Sequence, residues 1–534
     1  MKKYHFYVSH LDHFKVILLA VVCCLITACS NKEEAGENGG VFIFARGSDA
    51  HKLDPADVDD GESVNTLAQI CEGLVRFKSG TLEIEAALAE SFSILDEGLR
   101  YRFELRSGVE FHDGTPLTAA TAAYSFRRQM DSNHPGHLAE AAYSYWNYLY
   151  QDIESVDVVG EMSLEIRLSK PNSSLLYSLA IFPAALVSPN ALAKYGDQVQ
   201  RYPIGTGPYK FVEWRPNEAI VLERNESYWG ERSHFERLIM KVVPDSTVRT
   251  LQLKSGEIHG MDGVRPSDLK NLSDDASVNL YRETGLNVGY LVFNLENERL
   301  QNLALRRAIN LAIDRDAFAR VALNGAGTAA QFPLPPGFLG YPESGGDFAY
   351  APEEARKIVD ELGEGVLEAP LKIRVMNAPR AYFPDPIVAA TFIKGQLENV
   401  GIACEVVSSD FKSQLNDLRN GDFELGLIGW IGDNGDTDNF LSTFFASWAA
   451  KKGSATNYSF YRNPEMDELL LAARKSSSSG ERARLYSEAL MLSDRDIPLV
   501  PLAHGDNMIA LRSGLTGFEL QKIGDLRLGW IRPE

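Results

Sequence analysis

Three aspartates and two glycines crowd into Gly432-Asp433-Asn434-Gly435-Asp436-Thr437-Asp438-Asn439, directly after the apolar run Leu425 to Trp430. If that run is a strand, the carboxylates stand at the carboxyl edge of a sheet, where open α/β folds bind ligands. The same residues also suit an acidic loop that caps a helix at Asn439. A calcium loop of the EF-hand kind would need a Glu at its twelfth position, and none follows within reach.

Groups for covalent or hydrolytic chemistry are missing from the sequence. It contains no Gly-x-Ser-x-Gly elbow, no His-Glu-x-x-His pair and no phosphate-binding loop. Gly205-Thr206-Gly207-Pro208 is glycine-rich, but Pro208 removes an N–H that a phosphate cradle would use. His112-Asp113-Gly114 reads as a turn, because no second His or Cys cluster accompanies it. Glu33, Glu34, Asp57, Asp59 and Asp60 read as solvated charges. No enzyme, metal site or cofactor is expected. Tyr143, Tyr145, Trp146, Tyr148 and Tyr150 either line a pocket or pack a domain.

The elements that must position these groups follow from periodicity. Val41 to Phe44 is a β-prone opener, and Ser63 to Leu74 has helical spacing. Tyr101, Phe103 and Leu105 alternate with charged residues as in a half-buried strand. Thr118 opens a helix through Met130. Ser163 to Leu168, Ile220 to Arg224 and Tyr290 to Asn294 are strands. Val248 to Lys254 is a short helix stopped by Gly256, and Ala304 to Val321 is one amphipathic helix. Pro352 to Leu362 starts another, with Pro in its first turn. Leu371 to Met376, Ile387 to Val400, Ala403 to Ser408, Lys412 to Asn420 and Leu425 to Trp430 alternate as βαβαβ, which predicts a predominantly parallel lobe over 285–500.

With 534 residues, two or three domains are expected, and a formal charge of −20 disfavours nucleic acid and anionic membranes as partners. Lys2, Lys3 and Lys15 precede the apolar run Val16 to Ile26. As a helix that run rises only about 16 Å, too short for a hydrocarbon core of roughly 30 Å. It reads as a signal-peptide core. Ile26-Thr27-Ala28-Cys29 resembles a bacterial lipobox, so cleavage before Cys29 and lipidation of its thiol are expected, with 29–40 as a tether. Of the five cysteines, Cys71 and Cys404 remain in the folded body. They lie too far apart for a disulfide framework and are expected as small buried hydrophobes.

Several blocks resemble one family. Leu88-Ala89-Glu90-Ser91 and the stretch Asp96 to Ala119, with Phe111-His112-Asp113-Gly114-Thr115-Pro116-Leu117-Thr118, resemble the signature of the peptide- and nickel-type (family 5) solute-binding proteins of ABC importers. Pro203 to Tyr209, Leu222 to Asn225, Tyr228-Trp229-Gly230 and Arg306 to Arg315 resemble its later blocks. Gly429 to Phe440, and Arg380-Ala381-Tyr382 before Pro384, are most similar to the dipeptide-binding branch.

The resemblance implies an α/β fold of two lobes closing like a trap, with mixed sheets flanked by helices and an extra inserted domain. The expected division is 41–60, 205–284 and 504–534 for lobe I, 61–204 for the insertion and 285–503 for lobe II. It implies a monomeric extracytoplasmic receptor that passes short peptides to importer permease subunits. Asp433 would take the peptide ammonium and Arg380 the carboxylate, with Trp430, Gly432 and Asp436 as further ligand-binding residues. The same fold would also serve a sugar, a metal chelate, haem or an antimicrobial peptide. Thr437 stands where the branch usually has Pro, and Thr121 where it often has Asp. The cysteine pairs of some dipeptide receptors are missing.

Overall fold

The strand Leu499–Arg512 is the spine of the molecule. In this computed structural model, which describes residues 40–343, 349–363 and 366–534, its two halves serve different lobes. The first half pairs with Asn287–Phe293 and Gly327–Ala329, and the second with Gly260–Met261 and Val278–Thr284. One twelve-stranded sheet therefore runs through both lobes. The leader, Cys29 and the tether to residue 39 lie outside the described residues.

Lobe I takes Val41–Arg46, parallel to Arg237–Val242, with Ala219–Arg224 and Tyr209–Arg215 beyond it. Lobe II takes Asn287–Phe293, Leu371–Met376, Cys404–Ser409 and Leu425–Ile431. Only the last three of these are mutually parallel. The two strands nearest the spine are antiparallel, so the lobe is mixed where the βαβαβ alternation predicted mostly parallel pairing. The alternation covered only the outer strands, and the inner ones arrive from distant sequence.

The hydrophobic cores separate the units. Lobe II encloses one large cluster from Leu286 to Ala503. A second cluster gathers Ala56 and residues between Leu74 and Leu186 around the four-stranded sheet formed by Ala89–Leu95, Arg100–Leu105, Ser163–Leu168 and Ile153–Val158. The burial of Arg100–Leu105 alternates as its sequence does. Leu67, Ile70, Val187 and Leu192 pack instead into the core of lobe I, so the flanks of the 61–204 segment belong to that core. The helix Ala119–Met130 starts on a capping box. Thr118 accepts from the Thr121 N–H, and the Thr121 hydroxyl accepts from the Thr118 N–H at 2.8 Å. Threonine thus fills the reciprocal position itself.

Two helices are shorter than their periodicity. Gly61–Leu67 stops before Ile70, whose carbonyl accepts from Gly207 N–H. The loop at 205–207 lies so close that a Cβ on Gly205 would sit 2.2 Å from Ile70 O. This long-range pairing overrides the local helical pattern. The expected helix over 304–321 is two, Leu303–Ala312 and Arg315–Ala322, because Asp314 turns outward and caps the second through Ala317 N–H. Cys71 and Cys404 are both buried thiols. Among the described residues, no helix is long and apolar enough to cross a membrane.

Asp54 and Arg128 join lobe I to the inserted unit by a two-point ion pair at 2.5 and 2.9 Å, with both side chains about 2% exposed or less. Removing one partner strands a buried charge. Asp54→Ala should therefore lower the unfolding free energy by about 3–5 kcal/mol in urea titrations.

Candidate functional site

The strand Leu425–Ile431 carries the site because its glycines let other chains close onto it. A Cβ on Gly429 would lie 2.4 Å from the Tyr382 ring, and one on Gly432 would lie 2.5 Å from Phe440. The Gly432 N–H is tied to Leu286 O at 2.7 Å. The chain then turns through Asp433 into the helix Thr437–Phe445.

The three aspartates of this turn meet different fates. Asp436 is buried and sits 2.5 Å from Arg482; it accepts from Ser174 Oγ and caps the helix through Asp438 N–H at 2.8 Å. Asp438 is buried against Arg474 at 2.7 Å. Asp433 has no cation partner among the described residues. Asn439 Nδ2 donates to Asp433 Oδ2 at 3.1 Å, and the Tyr145 hydroxyl also hydrogen-bonds the carboxylate. Burial raises its pKa above the ordinary 3.8, and these two neutral donors only partly oppose that shift.

Asn439 is the organiser of the turn. Its Oδ1 accepts from Asp433 N–H at 3.0 Å and from Trp430 Nε1 at 3.3 Å, and its amide reaches the Tyr148 hydroxyl at 3.4 Å. Helix capping falls to Asp436 rather than to Asn439. Thr437 is buried, and its hydroxyl donates to Leu339 O at 2.6 Å, anchoring the loop where the branch usually has Pro.

Asp433, Gly432 and Ile431 form one wall of a cavity of about 440 Å³. Tyr145 and Phe182 of the inserted unit, with Arg76, Arg527 and Trp530, form other parts of its lining. The volume suits a small ligand. The aromatic cluster divides between the two expected roles. Tyr145 lines this cavity, and Tyr148 lines a neighbouring one of about 400 Å³. Tyr143, Trp146 and Tyr150 are buried in the inserted unit's core.

Three expected ligand residues sit elsewhere. Trp430 does not line the large cavity, because its indole is committed to holding Asn439. Asp436 is absent from the wall because Arg482 neutralises it in the interior. Arg380 does not share a cavity with Asp433. Its guanidinium stacks 4.1 Å from the Phe411 ring centroid and donates to Pro379 O at 3.2 Å. Its loop nonetheless leaves the same sheet edge, since Leu371–Met376 is the parallel neighbour of Leu425–Ile431. That loop also presses on the spine: a Cβ on Gly505 would lie 2.1 Å from Ala381 O. Arg76, Arg527 and Trp530 escaped the sequence reading, since no local motif marks residues that meet from a short hairpin and the C-terminal tail.

The raised pKa of Asp433 has a definite sign. The folded state holds this proton more tightly than the unfolded chain, so the ionised form weakens the fold as pH rises through that pKa. Asp433→Asn should raise the melting temperature of the ligand-free protein at pH 7, on the order of 1–2 °C, in scanning calorimetry. The gain should vanish in acid, below the carboxylate's pKa.

Comparisons with known proteins agree with this architecture. Residues 83–452 match the family described as "Bacterial extracellular solute-binding proteins, family 5 Middle". The chain is 31% identical over 534 residues to Heme-binding protein A of Haemophilus influenzae, covering 95% of this chain and 97% of that protein. It is 30% identical over 467 residues to the Dipeptide-binding protein of Escherichia coli, covering 84% and 86%. The structure of HbpA2 from Haemophilus parasuis superposes with a TM-score of 0.87 at 30% identity, over 93% of this chain and 100% of that one. Two lobes on one continuous sheet, an open cavity walled by both and a match across most of the length make this chain a member of the family 5 bacterial extracellular solute-binding proteins.

Proposed function

We propose that the protein is a monomeric, extracytoplasmic lipoprotein that captures short peptides, dipeptides above all, and hands them to the permease subunits of an ABC importer without a catalytic step. The observation that carries this is the Asp433 carboxylate, half-buried in a cavity wall, with no cation partner among the described residues and a pKa raised by burial. A peptide ammonium supplies the missing charge. Each charged end of a zwitterion that loses water needs such a partner. The likeness to the Dipeptide-binding protein supports the ligand class.

Arg380 is assigned the peptide carboxylate. Neighbouring strands lie about 4.8 Å apart, so loops leaving them side by side are spaced on the scale of a dipeptide, about 7 Å end to end. Closure of lobe I over this edge would cover both groups. The planar guanidinium suits a carboxylate through two parallel hydrogen bonds. Cys29 is assigned the lipid that keeps the receptor at the membrane.

The likeness to Heme-binding protein A supports haem as a second ligand. The cavity's phenols oppose it as an iron-ligating site. Tyr145 and Tyr228 hydrogen-bond Asp433 and Glu72, and burial beside those acids raises both pKa values, disfavouring a phenolate ligand.

Asp433→Ala should weaken dialanine binding by at least about 2 kcal/mol in calorimetric titration, with folding intact. An unchanged dissociation constant would refute the assignment. Arg380→Ala should weaken dipeptides more than tripeptides, and equal losses would remove it from the length-setting role. Cys29→Ser should abolish incorporation of labelled palmitate in cells; continued labelling would place the lipid elsewhere.

A further inference from the structure

We propose that Arg76 and Arg527 form an anion subsite in the wall of the same cavity, which takes the acidic side chain of a bound peptide. The proposal rests on the peptide assignment above and adds a preference that the ammonium site does not supply.

The two arginines come from opposite ends of the chain. Arg76 lies on the short strand Val75–Phe77, paired with Ile84–Ala86, and Arg527 lies in the C-terminal tail of lobe I. Both line the cavity, and both flank the Trp530 ring, at 5.6 and 5.9 Å from its centroid. Two like charges gathered at one ring repel, so the fold holds them there by specific contacts. Arg76 uses Nε on Glu85 at 2.7 Å. Arg527 uses Nε on Asp525 at 3.3 Å and Nη1 on Phe77 O at 2.9 Å.

Those contacts fix each guanidinium without exhausting it. Both Nη groups of Arg76 and the Nη2 of Arg527 have no protein acceptor among the described residues. What remains is a set of N–H donors around an aromatic shelf, on a wall separate from Asp433. Guanidinium donors match a carboxylate in geometry as well as charge. A peptide anchored by its ammonium on lobe II would extend side chains towards this wall. Glu85 and Asp525 already pair with the two guanidiniums, so the selectivity rests on the unused N–H groups: an acidic side chain gains charge-assisted hydrogen bonds from them, while a lysine side chain offers them no acceptor.

The test is calorimetric titration with the dipeptides Ala-Xaa and Xaa-Ala, where Xaa is Glu, Gln or Lys. In at least one series the Glu peptide should bind at least about tenfold tighter than its Gln isostere, with the Lys peptide weakest. Arg76→Gln should reduce the Glu-to-Gln ratio while leaving the Arg527–Phe77 contact in place. The Arg76→Gln, Arg527→Gln pair should bring the ratio near one, and Arg527→Lys should preserve a preference for Glu. A ratio near one in the unmodified protein, or a preference that survives the double substitution, overturns the subsite. Binding of Ala-Ala separates the two levels. If it is lost in Asp433→Asn while the ratio is near one, only the subsite fails. If Asp433→Asn leaves it intact, the peptide assignment fails with it.

Discussion

A half-buried aspartate, Asp433, with no cation partner among the described residues is the constraint on which the proposed function rests. Asp436 and Asp438, a few residues along, show what the fold does with a buried carboxylate when stability alone matters: each receives an arginine. Asp433 receives an amide and a phenol instead. Neutral donors orient a carboxylate and leave its charge available. On the proposed reading, a ligand cation supplies the charge that these neutral donors do not. Sites of function often carry such local instability, offset by the surrounding core.

The remaining architecture holds that charge at a junction of three parts. Asn439 fixes the turn from one side and Tyr145, from the inserted unit, from the other. The lobes are joined by two backbone crossings, after Thr284 and within Leu499–Arg512. These crossings are bonded to each other. Asn287 donates from its amide to Gly505 O at 2.9 Å and accepts from Gly505 N–H at 2.8 Å. Glycines stand at both crossings because the backbones approach closely there: a Cβ on Gly285 would lie 2.9 Å from Gly505 O, and one on Gly505 would lie 2.1 Å from Ala381 O. The Arg380 loop rests on that same point through Ala381. The loop that carries Arg380 therefore packs directly on the segment that links the two lobes.

Much of this was readable in the residues. The alternation at 100–105, the Thr118 cap, the Gly256 stop and the βαβαβ run each encode their element locally, and the structure contains all of them. The acidic turn after Trp430 does follow a strand end, and its Gly432 and Asp433 line a cavity. What local pattern could not convey was pairing at a distance. Gly205 and Gly207 pressing on Ile70 cut short a helix, and the spine strand made lobe II mixed. Sequence also could not separate three aspartates by their partners, since Arg474 and Arg482 arrive from later helices. The same limit hid Arg76, Arg527 and Trp530, whose meeting exists only in three dimensions.

The role proposed for the Asp433 carboxylate is to pair with the free amine of a short peptide. Its most direct measurement compares dialanine with N-acetyl-dialanine by calorimetry on the unmodified protein. Acetylation removes the positive charge and keeps the rest of the ligand. Acetylation should weaken binding at least about thirtyfold. Equal affinity for the two would contradict it.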